Sequence, residues 1–428
     1  MRFKYVRLGD VAIYLKEKIY TNKIRLNNYV STENLKPDIG GVDSSNKLPT
    51  TKMITKFNKW NILISNIRPY FKKIWLADWS GGCSNDVLVL KATDKINIFY
   101  LYYNLACDRF FDFVMAGAKG TKMPRGDKDH IMKYELMLPS IDCQKFIADI
   151  LSTLDQKIQI NSKINQNLEA TAQAIFKHWF VDFEFPNEEG KPYKSSGGEM
   201  VDSELGLIPK GWKLGFFKHL ITSVVGGDWG RTTCQGNYTH KVNVVRGADI
   251  PEISVGNKGN VPTRFILEKN YERKALRKGN LVVEISGGSP TQSTGRITYI
   301  SQDVLKKFDS DLVCTNFCRV LTLNHSSFIE FVYLYWQQLY DSGVFFLYEN
   351  GTTGIKNLDI DSVLKNYSII QPPDKIIDNF HQTLKDIYKK IQVIGEENTK
   401  LSMVRDTLLP KLMSGEIRVP MEVAEQEN

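Results

Sequence analysis

Five short stretches gather the side chains that can meet a phosphate or read a base edge. They are Ser65–Lys73, Gly117–Arg125, Gly226–Arg231, Ser286–Arg296 and Asn350–Asn357. Each mixes cations with glycine and small hydroxyl or amide residues. Lysine and arginine neutralise phosphates, and glycine and threonine let backbone amides come close to them. Arginine, glutamine, asparagine and lysine also carry the donor patterns that distinguish base pairs in the major groove. The candidate contacts are Arg68, Lys72, Lys119, Thr121, Lys122 and Arg125 in the first half, and Arg231, Ser289, Gln292, Arg296, Thr352 and Lys356 in the second. Any one loop alone is an ordinary solvated turn; occurrence of such loops in both halves of the chain is what favours nucleic acid.

Catalytic signatures are missing. There is no GxxxxGK[ST] phosphate loop, no GxGxxG after a strand, and no Asn-Pro-Pro-aromatic segment of the kind that holds a target adenine. None of the six histidines stands in a recognisable catalytic or metal-binding spacing. The six cysteines are scattered without a CxxC pair, and Cys314 and Cys318 lie in an apolar, strand-like run that suits buried thiols. A net charge of +8 permits a nucleic-acid partner without requiring one. No apolar stretch reaches 18 residues and the N-terminus lacks a signal-peptide core, so the expectation is a cytoplasmic protein with no membrane partner.

The elements that would position these loops are written twice, about 233 residues apart. Tyr100-Leu101-Tyr102-Tyr103 returns as Tyr333-Leu334-Tyr335-Trp336, and Lys157-Ile158-Gln159 returns as Lys390-Ile391-Gln392. Cys83-Ser84-Asn85 matches Cys314-Thr315-Asn316. A period this long is a duplicated domain, since solenoid units run about 20–50 residues. Each repeat reads as short strands and turns with one aromatic helix, and then a long helix. The stripe Ile147, Leu154, Ile158, Leu168, Ile175 recurs as Phe380, Ile387, Ile391, Leu401, Leu408 at coiled-coil spacing, with Asn165 and Asn398 at equivalent seam sites. Pro410 is expected to bend or end the second helix. The chain therefore divides into a mixed α/β domain at 1–140, a long helix at 141–184, a polar Pro/Gly/Ser linker at 185–205, a second mixed domain at 206–372, a second helix at 373–416, and an acidic, frayed tail at 417–428. The fold class is α/β (α+β): two domains related by a pseudo-two-fold axis, with two long antiparallel helices between them.

Phe176-Lys177-His178-Trp179-Phe180-Val181-Asp182-Phe183-Glu184-Phe185-Pro186 and Leu207-Ile208-Pro209-Lys210-Gly211-Trp212 resemble the specificity subunit of bacterial type I restriction–modification enzymes. So do Gly190-Lys191-Pro192-Tyr193-Lys194, Leu8-Gly9-Asp10-Val11 and Asn66-Ile67-Arg68-Pro69. The resemblance implies two target-recognition domains, each reading one half of a split asymmetric duplex site. It implies that the helices space the half-sites and dock two methyltransferase subunits, with restriction–translocase subunits completing the complex. It implies no cofactor in this chain, the methyl donor, ATP and magnesium belonging to those partners. The competing readings are a stand-alone methyltransferase or nuclease with an unrecognised active site, and a scaffold that does not touch DNA.

Overall fold

The computed structural model describes residues 4–289, 292–351 and 355–417, and the chain forms two compact units. The first unites Met1–Gln156 with Ser402–Asn428; the second is Lys157–Leu401.

In the first unit an antiparallel pair, Lys4–Arg7 with Glu135–Leu138, holds together the two ends of the repeat. Between them lies a four-stranded antiparallel sheet in the order Ala12–Tyr14, Val87–Ala92, Ile62–Ser65, Ile74–Leu76. Alternation of side chains sorts its apolar runs onto two faces. Ile62, Ile64, Leu88 and Leu90 enter a core with the aromatic helices Ile98–Leu105 and Asp108–Ala116 and with Ile147, Leu151 and Leu412 of the long helices. Leu63, Val87 and Val89 enter a second core with Phe57 and Trp75. Burial on both faces is why these strands read as continuous apolar runs.

The second unit repeats the plan. Lys213–Phe216 pairs with Ser368–Gln371, and the sheet order is Ile221–Gly226, Cys318–Leu323, Leu281–Glu284, Ile297–Tyr299. Leu281 and Val283 face one core and Val282 the other. Small details recur as well. Ser84 N donates to Val30 O at 2.9 Å, and Thr315 N to Val245 O at 2.9 Å, directly after the matched, buried Cys83 and Cys314. Asn61 Oδ1 accepts from Asn58 N at 2.8 Å, and Asn280 Oδ1 from Arg277 N at 2.7 Å. The smaller sheets differ. Met53–Phe57 pairs with Gly81–Cys83 in the first unit, whereas Tyr238–Val245 takes the central place between Thr263–Leu267 and Leu312–Cys314 in the second.

The long helices run Ile141–Phe180 and Asp374–Ser414. Their contacts within each unit are antiparallel. Asp155 pairs with Arg405 at 2.8 Å in the first, while in the second Asn161 meets Glu397 at 2.8 Å, Asn165 meets Ile391 O at 3.1 Å, and the Phe176 and Phe380 rings lie 6.2 Å apart. Of the sequence-derived stripe, Ile147, Phe380 and Ile391 are fully buried, whereas Leu154, Ile158, Leu168, Ile175, Ile387, Leu401 and Leu408 are half-buried. Phe176, Phe180, Leu384 and Tyr388 are buried instead, as are the seam residues Asn165 and Asn398.

The second helix continues through Pro410 and ends one turn later at Ser414; loss of one backbone donor is tolerated near an exposed helix end. One expectation fails. The supposed linker is packed structure: Phe185 stacks between Tyr193 at 4.6 Å and Trp212 at 5.0 Å, and Met200–Val201 pairs with Ile208–Pro209. Its aromatic residues bury enough surface to fix a segment whose prolines and glycines suggest a tether.

Candidate nucleic-acid interface

In both repeats, two of the basic loops are stitched into one element. In the first, Lys119 and Arg125 exchange two backbone hydrogen bonds of 2.9 Å, which closes a hairpin over Gly120, Thr121, Lys122, Met123 and Pro124. The hairpin is tied to the loop after Ile62–Ser65, since Arg68 N donates to Pro124 O at 2.8 Å and Gly126 N to Asn66 O at 3.1 Å. In the second, Glu349–Asn350 pairs with Lys356–Leu358, which pairs in turn with Ser286–Gly287. Arg125 therefore corresponds to Asn357, Lys119 to Asn350 and Ile67 to Ser286. Gly120 and Gly351 sit just past the equivalent strand ends at positive φ, 92° and 153°, where a side chain would strain the turn.

What anchors each element differs. Lys119, its side chain 81% exposed, reaches back to Asp127 at 2.6 Å. That bond, with the His130 and Asp129 amides, holds the Asp127 carboxyl down at about 2. Arg125 pairs with Asp86 at 3.0 Å, and Lys72 with Asp108 at 2.8 Å. Thr121 and Lys122 are exposed at the hairpin tip, and Arg68 is exposed with no ion pair among the described residues. These cations can turn outward, because their carboxylate partners sit at the surface.

The second element is held from within. Arg296 Nε and Nη2 donate to the two oxygens of Glu284 at 2.7 and 2.6 Å, and the carboxylate is only 4% exposed. Bidentate hydrogen bonding to Glu284 raises the Arg296 pKa further against the cost of burial. Lys356 pairs at 2.8 Å with Glu349, 5% exposed, which also accepts from Thr294 N and Oγ1 at 2.6 and 2.9 Å. Burial opposes charge on Glu349, but these donors outweigh it and keep its pKa below the ordinary carboxylate value. Arg296 and Lys356 thus tie the loops together through buried carboxylates. Ser289 and Gln292 exchange backbone hydrogen bonds at a loop turn, with Gln292 exposed; Thr352 lies outside the described residues. Arg231 belongs to neither loop: it is backbone-paired to Phe265 and its guanidinium lies 5.3 Å over the Tyr238 ring.

Sequence reasoning missed the acidic anchors Asp127, Glu284 and Glu349, which no spacing connects to their partners before folding. It also passed over Tyr70 and Phe71, exposed aromatics within the Ser65–Lys73 loop. Among the described residues no helix is long and apolar enough to cross a membrane.

Residues 2–170 match the family described as the type I restriction modification DNA specificity domain. The chain is 29% identical over 331 residues to the MjaIX type I restriction enzyme specificity subunit of Methanocaldococcus jannaschii, covering 75% of this chain and 69% of that one. It is 24% identical over 425 residues to the HindI specificity subunit of Haemophilus influenzae, covering 84% and 87%. The crystal structure of a type I restriction–modification S subunit from M. genitalium shares the fold, with a TM-score of 0.54 at 13% identity over 96% of each chain. The resemblance carried by the Phe176–Pro186 string extends along most of the molecule.

Proposed function

We infer that this chain is the DNA-specificity subunit of a type I restriction–modification system, a non-catalytic component that chooses the sequence on which partner subunits act. The observation that carries the reading is the duplicated two-loop element, present in two repeats whose first belongs to the specificity-domain family. The first element offers what a duplex groove accepts, a hairpin with Thr121 and Lys122 exposed at its tip, and the second sets the amides of Asn350, Asn357 and Gln292 on its paired strands and adjoining loop. In the first repeat we assign contact to Arg68, Thr121, Lys122 and Arg125, with Lys119 and Lys72 able to exchange their surface carboxylates for phosphates. In the second, Gln292, Ser289 and Asn357 take that part, and the Glu284–Arg296 and Glu349–Lys356 pairs fix the loop shapes. The two hairpin sequences share a Gly-Thr pair (Gly120-Thr121 and Gly351-Thr352) and differ beyond it, so the two half-sites differ in sequence and the whole site is bipartite and asymmetric.

Assembly with methyltransferase and restriction subunits accompanies this role. We assign their docking to the exposed apolar positions of the long helices, Ile160 and Ile164 on the first and Val393 on the second. Two methyltransferase subunits per chain match two repeats, and methyl donor, ATP and magnesium chemistry falls to the partners. Such a complex works on cytoplasmic DNA.

Methylome sequencing of a host expressing the chain with its partners tests the reading. A single bipartite methylated motif that disappears when this chain is deleted is the expected result. Methylation or cleavage by the purified chain, in a preparation free of partners, would overturn the non-catalytic role.

A further inference from the structure

The first unit concentrates backbone strain around an exposed aromatic pair. Four of the six non-glycine residues with positive φ among the described residues lie together: Asp38 (51°), Ile39 (61°), Arg68 (49°) and Lys72 (50°). The left-handed region is uncommon for residues with a side chain, and for β-branched Ile39 it is an outlier. Surrounding bonds hold the conformation in place. Asp38 N donates to Phe71 O at 2.9 Å, Ile39 N to Lys72 O at 3.1 Å, and Lys73 Nζ to Thr32 O at 2.6 Å. Between the strained Arg68 and Lys72 sits the short turn Pro69–Phe71, which leaves Tyr70 46% and Phe71 38% exposed with ring centroids 4.6 Å apart.

The second repeat shows what the strain preserves. Its corresponding loop has Gly287 and Gly288 at positive φ, 149° and 73°, conformations that glycine adopts without penalty. Glycines would relieve the first loop too, at the loss of the Arg68 and Lys72 side chains that flank the ring pair. Strain of this kind is retained where the geometry has a use. Two aromatic faces between cations, beside the hairpin of Thr121 and Lys122, suit a nucleobase lifted out of its stack. Every base has a π-face, apolar side chains wedge open base steps, and cations meet the adjoining phosphates.

We propose that Tyr70, backed by Phe71, stacks on an unstacked base of the first half-site, with Arg68 and Lys72 on the flanking backbone. The proposal rests on the DNA-recognition reading above and adds a distortion of the duplex to it. The contact is a positioning and specificity device, since no bond is made or broken.

The test uses the full chain assembled with its methyltransferase partners and duplexes bearing 2-aminopurine at successive positions of the mapped first half-site. One position other than the target adenine should brighten several-fold on binding. Tyr70→Ala should abolish that rise and weaken binding roughly five- to hundredfold, the range contributed by one base–aromatic stack. Tyr70→Phe should restore both, which a role of the hydroxyl or a general loss of folding would not allow. Brightening at the target adenine that depends on the partners should persist in every variant. Unaltered brightening and affinity in Tyr70→Ala and Phe71→Ala, with normal recognition otherwise, would overturn the proposal while leaving DNA recognition intact. Normal DNA binding with weakened subunit assembly would overturn it in favour of a protein-docking patch. Absence of any DNA binding by the unaltered complex would overturn both this proposal and the reading beneath it.

Discussion

Replacing Gly395 by alanine should destabilise this protein, although the same change in an ordinary helix stabilises it. Alanine is favoured over glycine inside a helix by about 0.8–1 kcal/mol. Gly395 lies within the Asp374–Ser414 helix, but a Cβ there would overlap the backbone carbonyl of Gly256, which cannot swing aside as a flexible side chain would. Gly256 is itself fixed, since its φ is +84° and its own Cβ would sit 2.6 Å from Ile391 O. The turn carrying Gly256 must therefore lift off the helices. Two hydrogen bonds go with it: Asn165 Nδ2 to Val255 O at 2.8 Å, and Lys307 Nζ to Gly256 O at 2.6 Å. A neutral bond contributes about 1 kcal/mol and one from a charged donor about 1.5–3 kcal/mol. Less the gain in helix propensity, the net loss is about 1.5–3 kcal/mol. Urea unfolding of Gly395→Ala followed by tryptophan fluorescence measures it. A midpoint equal to or above that of the parent would refute the close backbone contact and the reasoning built on it.

Arg296→Ala leaves the Glu284 carboxylate buried without its partner and should cost about 3–5 kcal/mol, whereas replacing both residues by apolar ones of similar volume should cost far less; equal losses in calorimetry would show that the pair is not desolvated. His381, hydrogen-bonded to Glu330 at 2.6 Å, has its pKa raised above the ordinary 6.5, chiefly by that bond. Its contribution is complete below pH 6.5 and is lost as pH rises through the elevated folded value, so the stability gap between parent and His381→Gln should narrow across that window; a gap independent of pH would contradict the pairing. Exchanging residues 213–371 for those of a relative, with junctions just outside the Lys213–Phe216 and Ser368–Gln371 pair, should change one half of the methylated motif and leave the other. Simultaneous change in both halves would refute modular recognition.

The duplication was legible because its landmarks are structural necessities: Cys83 and Cys314, for example, end matched strands and are buried. The loops were legible as composition, and the fold brings two from each half together. Whether a cation is free was not legible. Arg296 and Arg125 look alike in sequence, yet one faces a buried carboxylate twelve residues back and the other a surface aspartate. Equal seam positions also acquire unequal burial. Ile391 is covered by the Gly256 turn, whereas Ile158, its repeat-mate, stays half-exposed. The 185–205 segment misled because its prolines and glycines stand among mostly polar residues, although Phe185 and Tyr193, with Phe183 and Trp212 on either side, decide its packing.

The first unit is discontinuous in the chain, and that has a consequence in time. Its core includes Leu412, and Arg405 supplies the partner of Asp155. Both emerge from a ribosome only after the 245 residues of Lys157–Leu401. At about 5–20 residues per second the half made first waits roughly 12–50 s for its last helix. During that interval the apolar surface around Ile147 and Leu151 that Leu412 will cover stands open, and the second unit, continuous in sequence, can finish before it. The domain that begins synthesis is the one completed last, so premature release of the chain after Leu401 would leave the earlier half unfinished and the later half whole.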